Sequence, residues 1–252
     1  MSLMYGDEFI GQSQLKELIS TGYNAGSFSG ILKSCSIVSA SNLVLPATTL
    51  VKNCYASMFK DCTSLTVVPK LPATILADSC YSDMFSGCTS LTTAPELPAT
   101  ILADSCYSGM FSGCTSLVTA PELSATTIAS TCYSNMFNGC ISLTIAPELP
   151  ATTLASRCYQ DMFRDCTSLT TAPELPATTL ISECYLNMFI NCSSLNYIKA
   201  MFITLESVER ATYDWVDGVA STGTFVKNSA ATWDETGANG VPSGWTVQTM
   251  DE

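Results

Sequence analysis

The sequence predicts an α/β-type repeat solenoid, and three observations predict it. Cys54, Cys80, Cys106, Cys132, Cys158 and Cys184 recur every 26 residues, and Cys62, Cys88, Cys114, Cys140, Cys166 and Cys192 do the same. Between these cysteines, whole columns are identical in all six copies: a tyrosine (Tyr55 to Tyr185), a Met-Phe pair (Met58-Phe59 to Met188-Phe189) and a Ser-Leu pair (Ser64-Leu65 to Ser194-Leu195). A unit this short cannot bury an apolar face by itself and must stack on its neighbours. The invariant columns are therefore expected to face the stack. The variable pairs, such as Asp78-Ser79 against Ser156-Arg157 or 82–83 against 160–161, are expected to face water.

Within a unit, Cys158, Met162 and Phe163 fall at i, i+4 and i+5, the spacing of one face of a short helical turn. A Leu-Thr-Thr-Ala run closed by Pro173 then predicts a short parallel strand. Pro176 opens a second extended segment, Ala177-Thr178-Thr179-Leu180. Strands of successive units should pair about 4.8 Å apart, giving a rod roughly 30 Å long. The Ser64 to Ser194 column, and a Thr column running from Thr48 through Thr74, Thr100, Thr126 and Thr152 to Thr178, are expected to hydrogen-bond the backbone at the corners.

The flanks depart from the unit. Residues 1–34 read as an N-terminal cap, with a short amphipathic helix over 12–19. Ile31-Leu32-Lys33-Ser34-Cys35 echoes Met58-Phe59-Lys60-Asp61-Cys62 at a spacing of 27, a degenerate first coil that opens a solenoid over 35–200. Residues 201–252 read as a C-terminal cap, with a last solenoid strand at 197–201 leading into it. The cap should contain a helix from Ser207 to Val216 with Ser207 as N-cap, and strands at 224–227 and 245–247. Trp215, Trp233 and Trp245 all lie in this cap; they are expected to pack over the last coil, the alternative being an aromatic platform for sugar.

Apolar residues make up 47% of the chain and charged residues 13%, enough for a continuous core and too little charge for disorder. A net charge of −12 without any histidine disfavours nucleic acid and anionic lipid as partners. No apolar run is long enough for a membrane-spanning helix. Histidine, a phosphate-binding Gly-rich loop and a Gly-x-Ser-x-Gly elbow are all missing, so no enzyme and no cofactor is expected.

Thirteen cysteines cannot all pair internally. Gaps of seven and seventeen residues do not match zinc-ligand spacing, and buried free thiols are favoured over disulfides. The tyrosine column is expected to be half-buried rather than an exposed stripe. Glu96, Glu122, Glu148 and Glu174 form a carboxylate column, with Lys70 at its first position. Neighbouring charges about 5 Å apart repel by about 1 kcal/mol in water, which calcium would relieve; a solvated edge is the simpler reading.

Phe163, Cys166 and Leu169 followed by Pro173 and Pro176 resemble the aromatic-x-x-Cys-x-x-Leu run, strand and Pro-containing corner of the BspA-like leucine-rich repeats of Bacteroides-type surface proteins. The resemblance covers about residues 35–200. Met162 stands where the family usually has alanine, and Cys158 where many members have isoleucine. The resemblance implies a leucine-rich-repeat-like right-handed coil, export, cell-surface exposure and a non-enzymatic role in adhesion or recognition of a host or microbial macromolecule. The first residues lack signal-peptide features, so the expectation of export rests on the resemblance alone. A protein or glycan ligand would meet the stacked-strand face at Val67, Thr93, Thr119, Ile145 and Thr171, beside the glutamate column. A monomer that does not insert into membrane is expected. A passive stalk presenting another domain, favoured by the sameness of the units, and a calcium-stabilised adhesin are the alternatives.

Overall fold

The computed structural model of the protein describes residues 4–5, 8–9, 28–45, 47–205 and 208–250. The helix expected over 12–19 and the N-cap expected at Ser207 lie outside them. The fold is mostly non-helical, with a few parallel strands and compact, repeat-like stacking of aromatic rings, as a solenoid requires. Two short strands, β1 (Met4–Tyr5) and β2 (Glu8–Phe9), pair antiparallel near the N-terminus. Strands β3 (Tyr197–Ala200), β4 (Thr224–Asn228) and β5 (Thr246–Met250) form a parallel sheet in that order.

The segment expected to make a short helical turn follows a different rule. In the third copy, Cys106, Met110 and Cys114 donate their N–H groups to the carbonyls of Ala103, Tyr107 and Phe111, three residues back. The residues between them point their N–H groups out of the rung. Ser105, Tyr107, Gly109, Phe111 and Gly113 donate to Ser130, Cys132, Ser134, Met136 and Asn138 of the next rung at 2.7–3.0 Å. Alternate donors thus close local turns, and the others stitch rung to rung. No α-helix occurs among the described residues.

Left-handed backbone makes this alternation possible. In each copy every fourth residue has positive φ: Asn53, Ser57 and Asp61 lie at 58°, 56° and 61°, and Ser79, Asp83 and Gly87 at 53°, 55° and 74°. A helix cannot contain such residues. Asn, Asp, Ser and Gly fill most of these positions, the types that tolerate this region at least cost. The side-chain period becomes four instead of 3.6. Cys106-Tyr107, Met110-Phe111 and Cys114 point inward and are all buried.

The core is the sum of these columns. Tyr81, Tyr107, Tyr133, Tyr159 and Tyr185 stack with ring centroids 5.8–6.0 Å apart, and a parallel phenylalanine ladder runs at 5.5–5.8 Å. The tyrosines of the column are fully buried, not half-buried, and form no exposed aromatic stripe. Nor do all variable positions face water. Ser134, Asp161 and Glu183 are buried, Glu183 between Arg157 and Arg210 of the flanking rungs. The serine and threonine columns expected to satisfy the corners form no side-chain hydrogen bond among the described residues. The main chain turns the corner instead, as in Leu65 N–H to Cys62 carbonyl at 3.0 Å.

Both ends of the ladder shift by one residue. Gly30, Leu32 and Ser34 donate to Ala56, Met58 and Lys60, a separation of 26 instead of 25, as the 27-residue spacing of Cys35 and Cys62 demands. The stretch expected to be a helix up to Val216 is another rung. Glu183, Tyr185, Asn187, Phe189 and Asn191 donate to Glu209, Ala211, Tyr213, Trp215 and Asp217. Arg210, Asp214 and Gly218 carry the positive φ there, which rules the helix out. Ala211, Trp215, Val216 and Val219 repeat the inward pattern at a spacing of 27 from Cys184, Met188, Phe189 and Cys192.

The tryptophans close the stack. Trp215, Trp233 and Trp245 are buried, and their indole N–H groups donate to the carbonyls of Gly240, Phe202 and Ala220. They cannot form a sugar platform.

The turn ribbon makes a prediction that separates it from a helix. Ser57→Gly should leave stability nearly unchanged or raise it, because φ there is 56°. Ser57→Val should cost about 1–2 kcal/mol. Equilibrium denaturation checks both; a helical turn would instead penalise the glycine by about 1 kcal/mol.

Candidate recognition surface

Each unit leaves the ribbon at its second cysteine, turns at the Thr-Ser corner and runs straight for a few residues before the proline. Leu91 and its equivalents point inward, and the next two side chains face solvent. The predicted contact column lies here. Val67, Thr93, Thr119, Ile145 and Thr171 are all exposed, with Ile145 at 76%. Parallel bridges join Ser39 to Val67, Thr93 to Thr119, Thr119 to Ile145, and Thr171 to Tyr197 of β3. The structure thus aligns these residues across successive rungs and leads them into the β3–β4–β5 sheet.

A second exposed column escaped the sequence reading. Thr49, Ile75, Ile101 and Thr127 lie on the other extended segment, bridged Thr49 to Ile75 and Ile101 to Thr127. Ile75 and Ile101 are 59% and 66% exposed. Their signal was the β-branched pair after each Pro-Ala, one residue of which must face outward while the following leucine is drawn inward.

Glu96, Glu122, Glu148 and Glu174 are exposed at the corner between the two columns. Glu174 accepts an ion pair from Lys199 at 2.8 Å. The other three make no ion pair among the described residues. Between the rungs of Glu96 and Glu122 lies an open depression of about 410 Å³, lined by proline, alanine and leucine, with both carboxylates and Ser124 at its edge. Ser124 stands where other copies have Pro72, Pro98, Pro150 and Pro176, a difference the sequence reading passed over.

Every described cysteine is free, and all but Cys35 are buried. The second column takes part in the stitching. The thiols of Cys88, Cys114, Cys140, Cys166 and Cys192 donate to the carbonyls of Phe59, Phe85, Phe111, Phe137 and Phe163, one rung back, at 3.0–3.2 Å. Burial pushes these thiols above their ordinary range: Cys62 and Cys184 reach about 11, Cys80 and Cys114 about 12. Burial likewise holds Tyr55 at about 12. The thiols are therefore protonated and chemically quiet at neutral pH. Among the described residues no group of three or more Cys, Asp or Glu is placed to hold a metal ion, and no helix is long and apolar enough to cross a membrane. The exposed surface offers hydroxyls, aliphatic side chains and carboxylates in register, an arrangement suited to contact along a line.

The raised thiol values set the sign of the alkaline response. A thiol that titrates near 9 in the unfolded chain and near 11–12 when folded favours the folded state below pH 9. That contribution falls as pH rises from 9 through the folded values. Twelve buried thiols act together, so a steep unfolding transition is expected above pH 9, read by tryptophan fluorescence. At neutral pH a water-soluble disulfide reagent should titrate only Cys35 quickly, and all thirteen cysteines after denaturation. No family model matches this chain, and no curated protein or solved structure is significantly similar to it.

Proposed function

We propose that this protein is a non-enzymatic recognition or adhesion module that binds a protein or glycan through the face carrying Val67, Thr93, Thr119, Ile145, Thr171 and the glutamate column. One observation carries the reading: uncharged, exposed β-branched side chains stand in line on bridged rungs, beside carboxylates that for three rungs have no ion pair among the described residues. Exposed apolar side chains gathered on one face, rather than scattered singly, favour a contact surface.

We also read the coil as right-handed and leucine-rich-repeat-like, with the turn ribbon in place of the short helix, and the protein as an exported, monomeric surface protein of the BspA-like kind. Rung-to-rung main-chain hydrogen bonds and parallel bridges at a near-constant sequence separation support the coil reading.

The test is capture on arrays of glycans and of host and microbial surface proteins. The protein as it stands should retain a reproducible ligand. Replacing Thr93, Thr119 and Thr171 together with lysine should abolish capture without lowering the melting temperature, because all three side chains are exposed. Capture unaffected by the triple replacement would remove this face from the function. Absence of any ligand would favour a passive stalk.

A further inference from the structure

The charge of the glutamate column is unevenly answered. Its first position holds Lys70, and its last glutamate, Glu174, is paired with Lys199. Between residues 71 and 156 the chain has no lysine or arginine at all; Asp78 and Asp83 pair with Lys52 and Lys60, while Glu96, Asp104, Glu122 and Glu148 make no ion pair among the described residues. The open depression sits within this stretch, between Glu96 and Glu122.

Its shape has a cause in the sequence. Ser124 lacks the pyrrolidine ring that the other units place beside the corner, and the missing ring opens space next to Pro98. Serine also restores a main-chain N–H that proline lacks, and this N–H makes no hydrogen bond among the described residues. The walls are apolar, from Pro95, Pro98 and Pro121, and the edge is anionic.

We propose that this depression receives a lysine side chain presented by an extended segment of a partner protein, the aliphatic stem lying against the prolines and the ammonium between Glu96 and Glu122. Lysine's stem and head match those two chemistries. The molecule supplies its own precedent: Lys199, reaching from the adjoining rung, sets its ammonium 2.8 Å from the carboxylate of Glu174 in this same column. The main-chain N–H of Ser124 gives the partner's backbone one donor more than the corners carrying Pro72, Pro98, Pro150 and Pro176 offer. This inference rests on the reading of the strand side as a recognition face and names the partner's chemistry.

The probe is a blocked Thr-Lys-Thr-Lys-Thr peptide, followed by backbone-amide NMR shifts of the intact protein. Shifts are expected at 94–97 and 120–124. Glu96→Gln with Glu122→Gln should weaken the affinity about three- to tenfold. Ser124→Pro should weaken it similarly while keeping the melting temperature, since the other copies carry proline there. Glu174→Gln should leave it unchanged. A norleucine version of the peptide should not bind. The proposal is overturned if the lysine peptide gives no shifts at this site, if Ser124→Pro binds as well as the parent, or if spermidine at equal concentration gives the same shifts, which would mark a site for free amines. An array ligand bound with unchanged affinity by Glu96→Gln with Glu122→Gln would sink this inference and leave the recognition face standing. A lysine peptide that binds while no array ligand exists would do the reverse.

Discussion

The whole architecture depends on how the ribbon divides its main-chain hydrogen bonds. One N–H in two closes a turn within the rung, and the next one reaches the neighbouring rung. A helix satisfies its donors internally and offers a neighbour only side chains; a strand sends all of its donors sideways. This ribbon does half of each. Cohesion between units is therefore written into the backbone and does not wait for side-chain packing to create it. Residues of positive φ, spaced by four, hold the arrangement in place. The inward pairs, Cys-Tyr and Met-Phe, then follow from the same spacing.

Sameness of the core is a consequence. When rungs are related by near-translation, each inward side chain meets its own copy above and below. A ring must suit a ring in the same pose, which the interplanar angles of 4–12° between Tyr81, Tyr107, Tyr133 and Tyr159 record. A larger residue in one rung would meet two unyielding neighbours. Cysteine fits its columns because it is small, apolar and able to donate a weak hydrogen bond to a carbonyl across the gap. The phenolic oxygens of Tyr81 and Tyr107 are buried without a partner among the described residues, a cost that the surrounding stack outweighs.

Much of this was legible in the sequence. The 26-residue period revealed the stack, and the invariant columns revealed the core, since Tyr107, Met110, Phe111, Cys114 and Leu117 are all buried. The positions from Val67 to Thr171 were named as the stacked-strand face, and the structure exposes them and bridges Thr93, Thr119 and Ile145 in sequence. The ribbon was misread because i, i+4 and i+5 suits both a period of 3.6 and a period of four over so short a run. The distinguishing sign was the Asn, Asp, Ser or Gly just before most inward pairs, as at Asn135 and Gly109. The rung at 208–219 was hidden by its 27-residue offset and by replacement of Cys, Tyr and Phe with Ala211, Thr212 and Val216. Burial of Glu183 was not foreseeable from one column, because its two arginines, Arg157 and Arg210, lie one rung away on either side.

The one-residue slip at each end has a bearing on how such a chain grows. Interior rungs share a single register, so a duplicated or lost 26-residue block rejoins its neighbours with every donor meeting an equivalent acceptor. The terminal rungs, offset by a residue, are not interchangeable with that block and remain at the ends. Length is thereby free to vary among the interior rungs while the offset rungs keep their own register. A lineage carrying this gene has a simple way to lengthen or shorten its reach without inventing new contacts.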